Sequence, residues 1–249
     1  MKALITGASS GIGADLAKTL VDSGHEVILV ARRKGKLEKL AKELGDNAKT
    51  IVMDISSTFN CMKLYNETKN EKIDILINNA GFGLFGDFAH SSIDKELDMI
   101  DLNIKAVHTL TKLFLKDFKK KNSGYILNVA SSAGFMPGPL MSTYYASKAY
   151  VLNLSQAIYE ELKKEKSNVS ISVLCPGPVD TEFNKVAGVS FAIKPKTSKE
   201  VAQYAIKKML QNKLIIVPGT SVKLGIFATR FIPRKLLLKI AYNFQSKKK

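Results

Sequence analysis

KALITGASSGIGADLAKTL, residues 2–20, is the stretch whose reading decides the fold. Lys2 to Thr6 is a short apolar run suited to a buried strand, and from Gly11 onward apolar residues return at helical spacing. Three glycines fill the turn between the two. Gly7 lets the chain leave the strand sharply, Gly11 lets backbone approach a bound pyrophosphate, and Gly13 lets helix and strand pack closely. With Ser9, Ser10 and Ile12 they form a loop that opens a helix, whose first N–H groups lack partners and suit an anion. A bare glycine pattern fits any tight turn, whereas strand, turn and helix in this order specify a dinucleotide-binding start.

Further strand-like runs follow at Glu26 to Val30, Thr50 to Met53, Ile73 to Ile77, Tyr125 to Val129, Ser170 to Leu174 and Leu214 to Val217, alternating with helical segments. That alternation predicts an α/β fold of three layers, a parallel sheet covered on both faces. At 249 residues, with no repeat or low-complexity linker, the chain suits a single domain. Thr197 to Glu200 reads as a capping box, so a helix is predicted from there to about Gln211.

The chemistry is concentrated in Ser131 to Lys148. Tyr144 and Lys148 stand four apart in a segment of helical composition, which puts phenol and ammonium on one face, and Ser131 lies thirteen residues before the tyrosine. A free phenol titrates near pH ~10, and a neighbouring cation favours its oxyanion. Lys148 is therefore expected to pull the tyrosine toward ionisation and make it a usable general acid. Tyr145 is also within helical reach of Lys148, and Ser132 adjoins Ser131, so spacing alone leaves both pairs open.

T-G-x-x-x-G-x-G at Thr6 to Gly13, N-N-A-G at Asn78 to Gly81 and Y-x-x-x-K at Tyr144 to Lys148 together resemble the short-chain dehydrogenase/reductase family over roughly residues 2 to 220. The resemblance implies a Rossmann-like, doubly wound parallel sheet that holds nucleotide and catalytic groups in one domain. It implies that Tyr144 is the acid/base, Ser131 the hydroxyl on the substrate carbonyl oxygen, Lys148 a second contact to the nicotinamide ribose, and Asn103 the holder of a water in a proton relay. It also places Asp54 and Ile55 at adenine, Asn79 and Ala80 beside the adenosine ribose, and Pro176, Gly177, Val179 and Thr181 at the nicotinamide. A catalytic domain over residues 1–221 and a basic extension over 222–249 are expected, as is a homodimer or homotetramer built on helices near Ile104 to Lys120 and Thr143 to Lys164. The activity implied is reduction of a carbonyl or oxidation of an alcohol. The alternative is a nucleotide-loaded binding or regulatory protein with the same fold and no turnover.

The second strand-like run ends in Ala31, Arg32 and Arg33, where an NAD-preferring enzyme often carries an acid for the ribose hydroxyls. A guanidinium binds a 2′-phosphate through paired hydrogen bonds, so NADP(H) is expected over NAD(H).

Cys61 and Cys175 show neither C-x-x-C nor ligand spacing, and His25, His90 and His108 are scattered, so neither a disulfide framework nor a metal is expected. With Thr6 already in the nucleotide loop, a cleaved leader would destroy the site, and a cytoplasmic location is expected.

The formal charge is +16. Lys223, Arg230, Arg234, Lys235, Lys239, Lys247, Lys248 and Lys249 stand in the last 28 residues with no acid among them. Phe227, Phe231, Ile232, Leu236, Leu237, Leu238, Ile240 and Phe244 lie between them, so a basic amphipathic helix is predicted after Pro233. Such a segment could lie on an anionic bilayer or pack over the substrate cleft; it is too interrupted by charge to span a membrane. Basic charge without a reading motif gives only nonspecific attraction to nucleic acid. Phe82, Leu84, Phe85, Phe135, Met136, Leu140 and Met141, with Val186, Val189, Phe191 and Ile193 between Lys185 and Lys194, predict an apolar cleft for a ketone, aldehyde, acyl or steroid-like substrate.

Overall fold

A computed structural model describes residues 1–183, 187–188 and 195–246. The expected cleft residues Lys185, Val186, Val189, Phe191, Ile193 and Lys194, and the terminal Lys247, Lys248 and Lys249, lie outside the described residues. The main sheet contains β1 (Lys2–Thr6), β2 (Glu26–Ala31), β3 (Ala48–Val52), β4 (Ile75–Asn78), β5 (Gly124–Val129), β6 (Val169–Leu174) and β9 (Ile215–Ile216). Its order is β3-β2-β1-β4-β5-β6-β9, and every pairing is parallel. The strand-like runs of the sequence meet these strands within two residues at each end. The short parallel pair β7 (Val179–Asp180) and β8 (Lys196–Thr197) had no signal in periodicity, since two residues cannot show one.

Alternation along each strand sends side chains to opposite faces, and both faces are buried. Ala3 and Ile5 of β1, Val27 and Leu29 of β2, and Ile75 and Ile77 of β4 pack under α1 (Gly11–Asp22), α2 (Lys34–Leu44) and α7 (Ser198–Met209). Leu4, Ile28, Val30 and Leu76 face the other way. They meet α3 (Thr58–Thr68), α5 (Val107–Lys120) and α6 (Ser142–Lys164) through Leu64, Phe114, Phe118 and Leu162. The result is the three-layered, doubly wound arrangement. Thr197 closes the predicted capping box with Glu200 and starts α7.

Two features, a π-helical turn before α5 and a first helix after β9, had no signal in the sequence. Between α4 (Ile93–Ile100) and α5 the chain makes a π-helical turn, Asp101–Ala106, which carries Asn103. After β9 come α8 (Thr220–Ala228) and α9 (Arg234–Ser246). The predicted helix after Pro233 is α9, whereas the boundary expected after residue 221 falls inside α8. Val222 and Ile226 of α8 pack on Val173, Cys175 and Val217.

Candidate active site

The sheet order reverses between β1 and β4, and the segments leaving the C-terminal ends of β1, β4, β5 and β6 open around one crevice there. A cleft of about 1100 Å³ occupies it. Every expected nucleotide residue lines this cleft: Gly7 to Gly13 without Ala8, then Arg32, Arg33, Asp54, Ile55, Asn79, Ala80, Tyr144, Lys148, Pro176, Gly177, Val179 and Thr181. Ser131 lines it too, and Asn103 does not.

The glycine turn is close-packed against the turn after β4. Gly7 has φ +66°, and a Cβ on it would lie 2.8 Å from the Ala80 Cα. A Cβ on Gly13 would come within 2.4 Å of both the Gly7 carbonyl oxygen and the Asn79 amide. Thus Gly13 is needed for contact with the turn itself as well as for seating the helix. The Thr6 hydroxyl accepts from the Asn79 and Ala80 N–H groups at 3.0 and 3.1 Å, and the Asn79 amide donates back to the Thr6 and Gly7 carbonyls at 3.0 and 3.2 Å. Ser10 caps α1 in extended conformation without a side-chain cap bond, so no capping hydroxyl occupies the first-turn donors. This cradle fits the pyrophosphate of a dinucleotide.

At the adenosine end Arg32 pairs with Asp54 at 3.4 Å. Burial raises the Asp54 pKa, but hydrogen bonds from Ser56 and the Arg32 guanidinium outweigh it and leave the carboxyl below its usual range. Arg33 donates to the Ser9 hydroxyl at 3.0 and 3.2 Å and pairs with Glu182 at 2.6 Å. Glu182 also pairs with Lys36, and these two cations, Lys36 foremost, hold its carboxyl down to about 2. Glu182 carries no signal in the sequence, because the pair joins the start of α2 to the segment after β7, some 149 positions from Arg33.

At the catalytic end Tyr144 and Ser131 line the same cleft, close enough for the serine hydroxyl to act on the titration of the phenol. Ser131 caps a 3-10 turn, Ser132–Phe135, accepting from the Ala133 N–H at 3.1 Å. Tyr145, which also lines the cleft, takes a hydrogen bond from Gln245 of α9, and its ring fills the space beside Gly138. Lys148 donates to the Val129 carbonyl at 3.0 Å, with its nitrogen 5.8 Å from the centre of the Tyr144 ring.

The expected acidification of the phenol is not what this arrangement produces. Burial pushes Tyr144 up to about 12, against a smaller lowering by the Ser131 hydroxyl. Burial also lowers Lys148 to about 8. Helical spacing places both groups on one face, but the ammonium is spent on a backbone carbonyl, and loss of water governs both titrations.

Asn103 sits behind the turn after β4. It is fully buried, accepts from the Phe82 N–H at 3.1 Å, and donates to the Phe82 carbonyl and the Ser147 hydroxyl at 2.9 and 3.1 Å. Its amide is spent on fixing the turn after β4 and lies behind the cleft wall.

Of the expected apolar lining, Phe82, Leu84, Met136 and Met141 face the cleft, while Phe85, Phe135 and Leu140 do not. Phe135 packs on the side of Val107 and Val151. Further apolar lining comes from Phe183 and from the last two helices, through Val222, Ile226, Leu237, Ile240, Ala241 and Phe244. No group of three or more metal-ligating side chains occurs among the described residues.

Residues 1–189 match the short chain dehydrogenase family. The chain is 34% identical over 214 residues to an uncharacterized oxidoreductase of Staphylococcus saprophyticus, covering 83% of this chain and 91% of that one. It is 34% identical over 224 residues to the ketoacyl reductase HetN of Nostoc sp., covering 84% and 75%. The solved short-chain dehydrogenase from Sphingobium yanoikuyae in complex with NADPH superposes with a TM-score of 0.84 at 30% identity, covering 95% of this chain and 94% of that one. With the fold, the glycine cradle and the tyrosine-bearing cleft, these likenesses establish that the chain belongs to the short-chain dehydrogenase/reductase family and is an oxidoreductase acting on CH–OH or C=O groups with a nicotinamide cofactor.

Proposed function

We propose that the protein is an NADPH-dependent carbonyl reductase, reversible as an alcohol dehydrogenase, that acts on a hydrophobic ketone, aldehyde, acyl or steroid-like substrate. The observation that carries this reading is that Ser131, Tyr144 and Lys148 come together in one cleft whose other end is the glycine cradle. When bound, the reduced nicotinamide supplies hydride to the carbonyl carbon. Negative charge then grows on the carbonyl oxygen, where Ser131 and Tyr144 donate hydrogen bonds. A phenol held at about 12 is fully protonated at neutral pH, so Tyr144 meets the developing alkoxide as an acid and hands over its proton. Tyr144 and Lys148 also take the nicotinamide ribose, and Asp54 with Ile55 takes the adenine.

The preference for NADP(H) rests on Arg32 and Arg33 at the end of β2, where no carboxylate of that strand end opposes a 2′-phosphate. Asp54 and Glu182 pair with the two guanidiniums, and a 2′-phosphate would take over the place of Glu182 at Arg33. The NADPH complex of the Sphingobium relative supports the same choice, and the ketoacyl reductase relative supports an acyl substrate. A homo-oligomer built on α5 and α6 remains part of the reading, on the family's habit alone.

The test is oxidation of NADPH and of NADH by the intact protein over a panel of hydrophobic ketones and aldehydes. NADPH turnover is expected with at least one of them. The Tyr144→Phe variant should lose about 10²–10⁴-fold in kcat while keeping nucleotide affinity. Full activity in that variant would reassign the acid.

A further inference from the structure

The last two helices carry two different faces. Leu237, Ala241 and Gln245 of α9, spaced by four, are buried toward the cleft, and Val222 and Ile226 of α8 are half-buried against the sheet. On the outside, Leu224, Phe227, Phe231, Leu236, Leu238 and Tyr242 are exposed, Phe231 at 72% and Leu224 at 68%. Phe227 and Phe231 stack edge to face with centroids 5.1 Å apart, which joins the outer ends of α8 and the connection to α9 in one aromatic contact. None of these outer six lines the cleft. Ile240 and Phe244 do both: they line the cleft and are 47% and 44% exposed, so apolar surface continues from the outside over the rim.

Charge sets the occupant. Lys223, Arg230, Arg234, Lys235 and Lys239 are all exposed on the same two helices and their connection, and no carboxylate pairs with any of them among the described residues. From Val201 to the end of the chain there is no Asp or Glu at all. A two-fold contact with a second copy would set this patch against itself, cations facing cations with no acid to intervene. An anionic lipid surface instead takes aromatic and aliphatic side chains below its headgroups and lysines and arginines among them. No described helix is long and apolar enough to cross a membrane, which leaves docking at the surface.

We propose that α8 and α9 form a docking surface for an anionic lipid bilayer, placed so that the rim at Ile240 and Phe244 opens toward the lipid. Docking itself is independent of the proposed reductase activity; only the inference that a lipophilic substrate enters along this rim rests on that reading.

The test is flotation of the full chain with phosphatidylcholine vesicles, with and without added phosphatidylglycerol, beside light scattering and NADPH oxidation on a water-soluble ketone. The wild type is expected to need at least about tenfold less anionic than neutral lipid for half-binding, and to be released by salt. Phe227→Asp with Phe231→Asp should abolish flotation, and Lys235→Glu with Lys239→Glu should weaken it, with turnover of the soluble ketone unchanged in both. The proposal is overturned if the wild type stays in solution with anionic vesicles, or if it floats equally with both lipids. It is also overturned if the aspartate pair floats like wild type, or if its only effect is to split a dimer. Absence of NADPH turnover with intact flotation would sink the reductase reading and leave the docking surface standing.

Discussion

Tyr144 and Lys148 show how far residue spacing reaches. It puts the two side chains on one helical face, and they are there, but the phenol is held up at about 12 and the amine down at about 8 because both are out of water. For Lys148 the consequence is a pH signature. A lysine whose folded pKa lies below its unfolded value of 10.5 binds fewer protons when folded between about pH 8 and 10.5, so its contribution to stability grows as pH rises through that window. Tyr144 and Cys175, both raised to about 12 by burial, act in the opposite direction at higher pH, so the comparison must be made within a pair. Stability of the wild type relative to Lys148→Met is expected to rise by on the order of 3 kcal/mol from pH 8 to 10.5. Parallel curves in chemical denaturation would contradict the burial of that amine.

At the scale of elements, the π turn between α4 and α5 is the feature on which the turn after β4 depends. An extra residue in one helical turn rotates Asn103 inward, where it satisfies both backbone groups of Phe82. Asn103→Leu should cost about 1–3 kcal/mol, since it strands a buried N–H and a carbonyl together. Denaturant melts of the variant and wild type measure this. A loss well under that range would mean the turn after β4 holds itself. Helix periodicity gave no sign of the π turn, because a single extra residue leaves the apolar pattern of Leu102, Ala106, Val107 and Leu110 readable as one helix. The capping box of α7, by contrast, was legible from four residues, because its hydrogen bonds are all local.

At the scale of the molecule, nucleotide binding ties β1, β2, β4 and β6 together through one cleft, so it should stabilise the whole domain. Saturation at about 100 times Kd adds roughly 2.7 kcal/mol, seen as a rise in Tm. NADPH is expected to raise Tm more than NADH at equal concentration, and Arg33→Ala to erase the difference. An equal rise with both nucleotides in the wild type would remove the argument from the arginines. Glu182→Gln should tighten NADPH binding, because the 2′-phosphate no longer competes with a carboxylate for Arg33 and Lys36. Thermal shifts across the same nucleotide series would show it.

What the sequence determined by itself was everything carried by near neighbours: strand and helix periods, the glycine turn, the Tyr144–Lys148 face, the arginines ending β2 and the amphipathic character of α9. Only the tertiary structure decided that Gln245 reaches the Tyr145 hydroxyl, that Glu182 crosses to Arg33, that the amide of Asn103 holds the backbone of Phe82, and that the last two helices wall the cleft. Those contacts join residues far apart in the chain, and the pKa shifts that follow come from exclusion of water, a property of the packed fold that no local stretch of sequence contains.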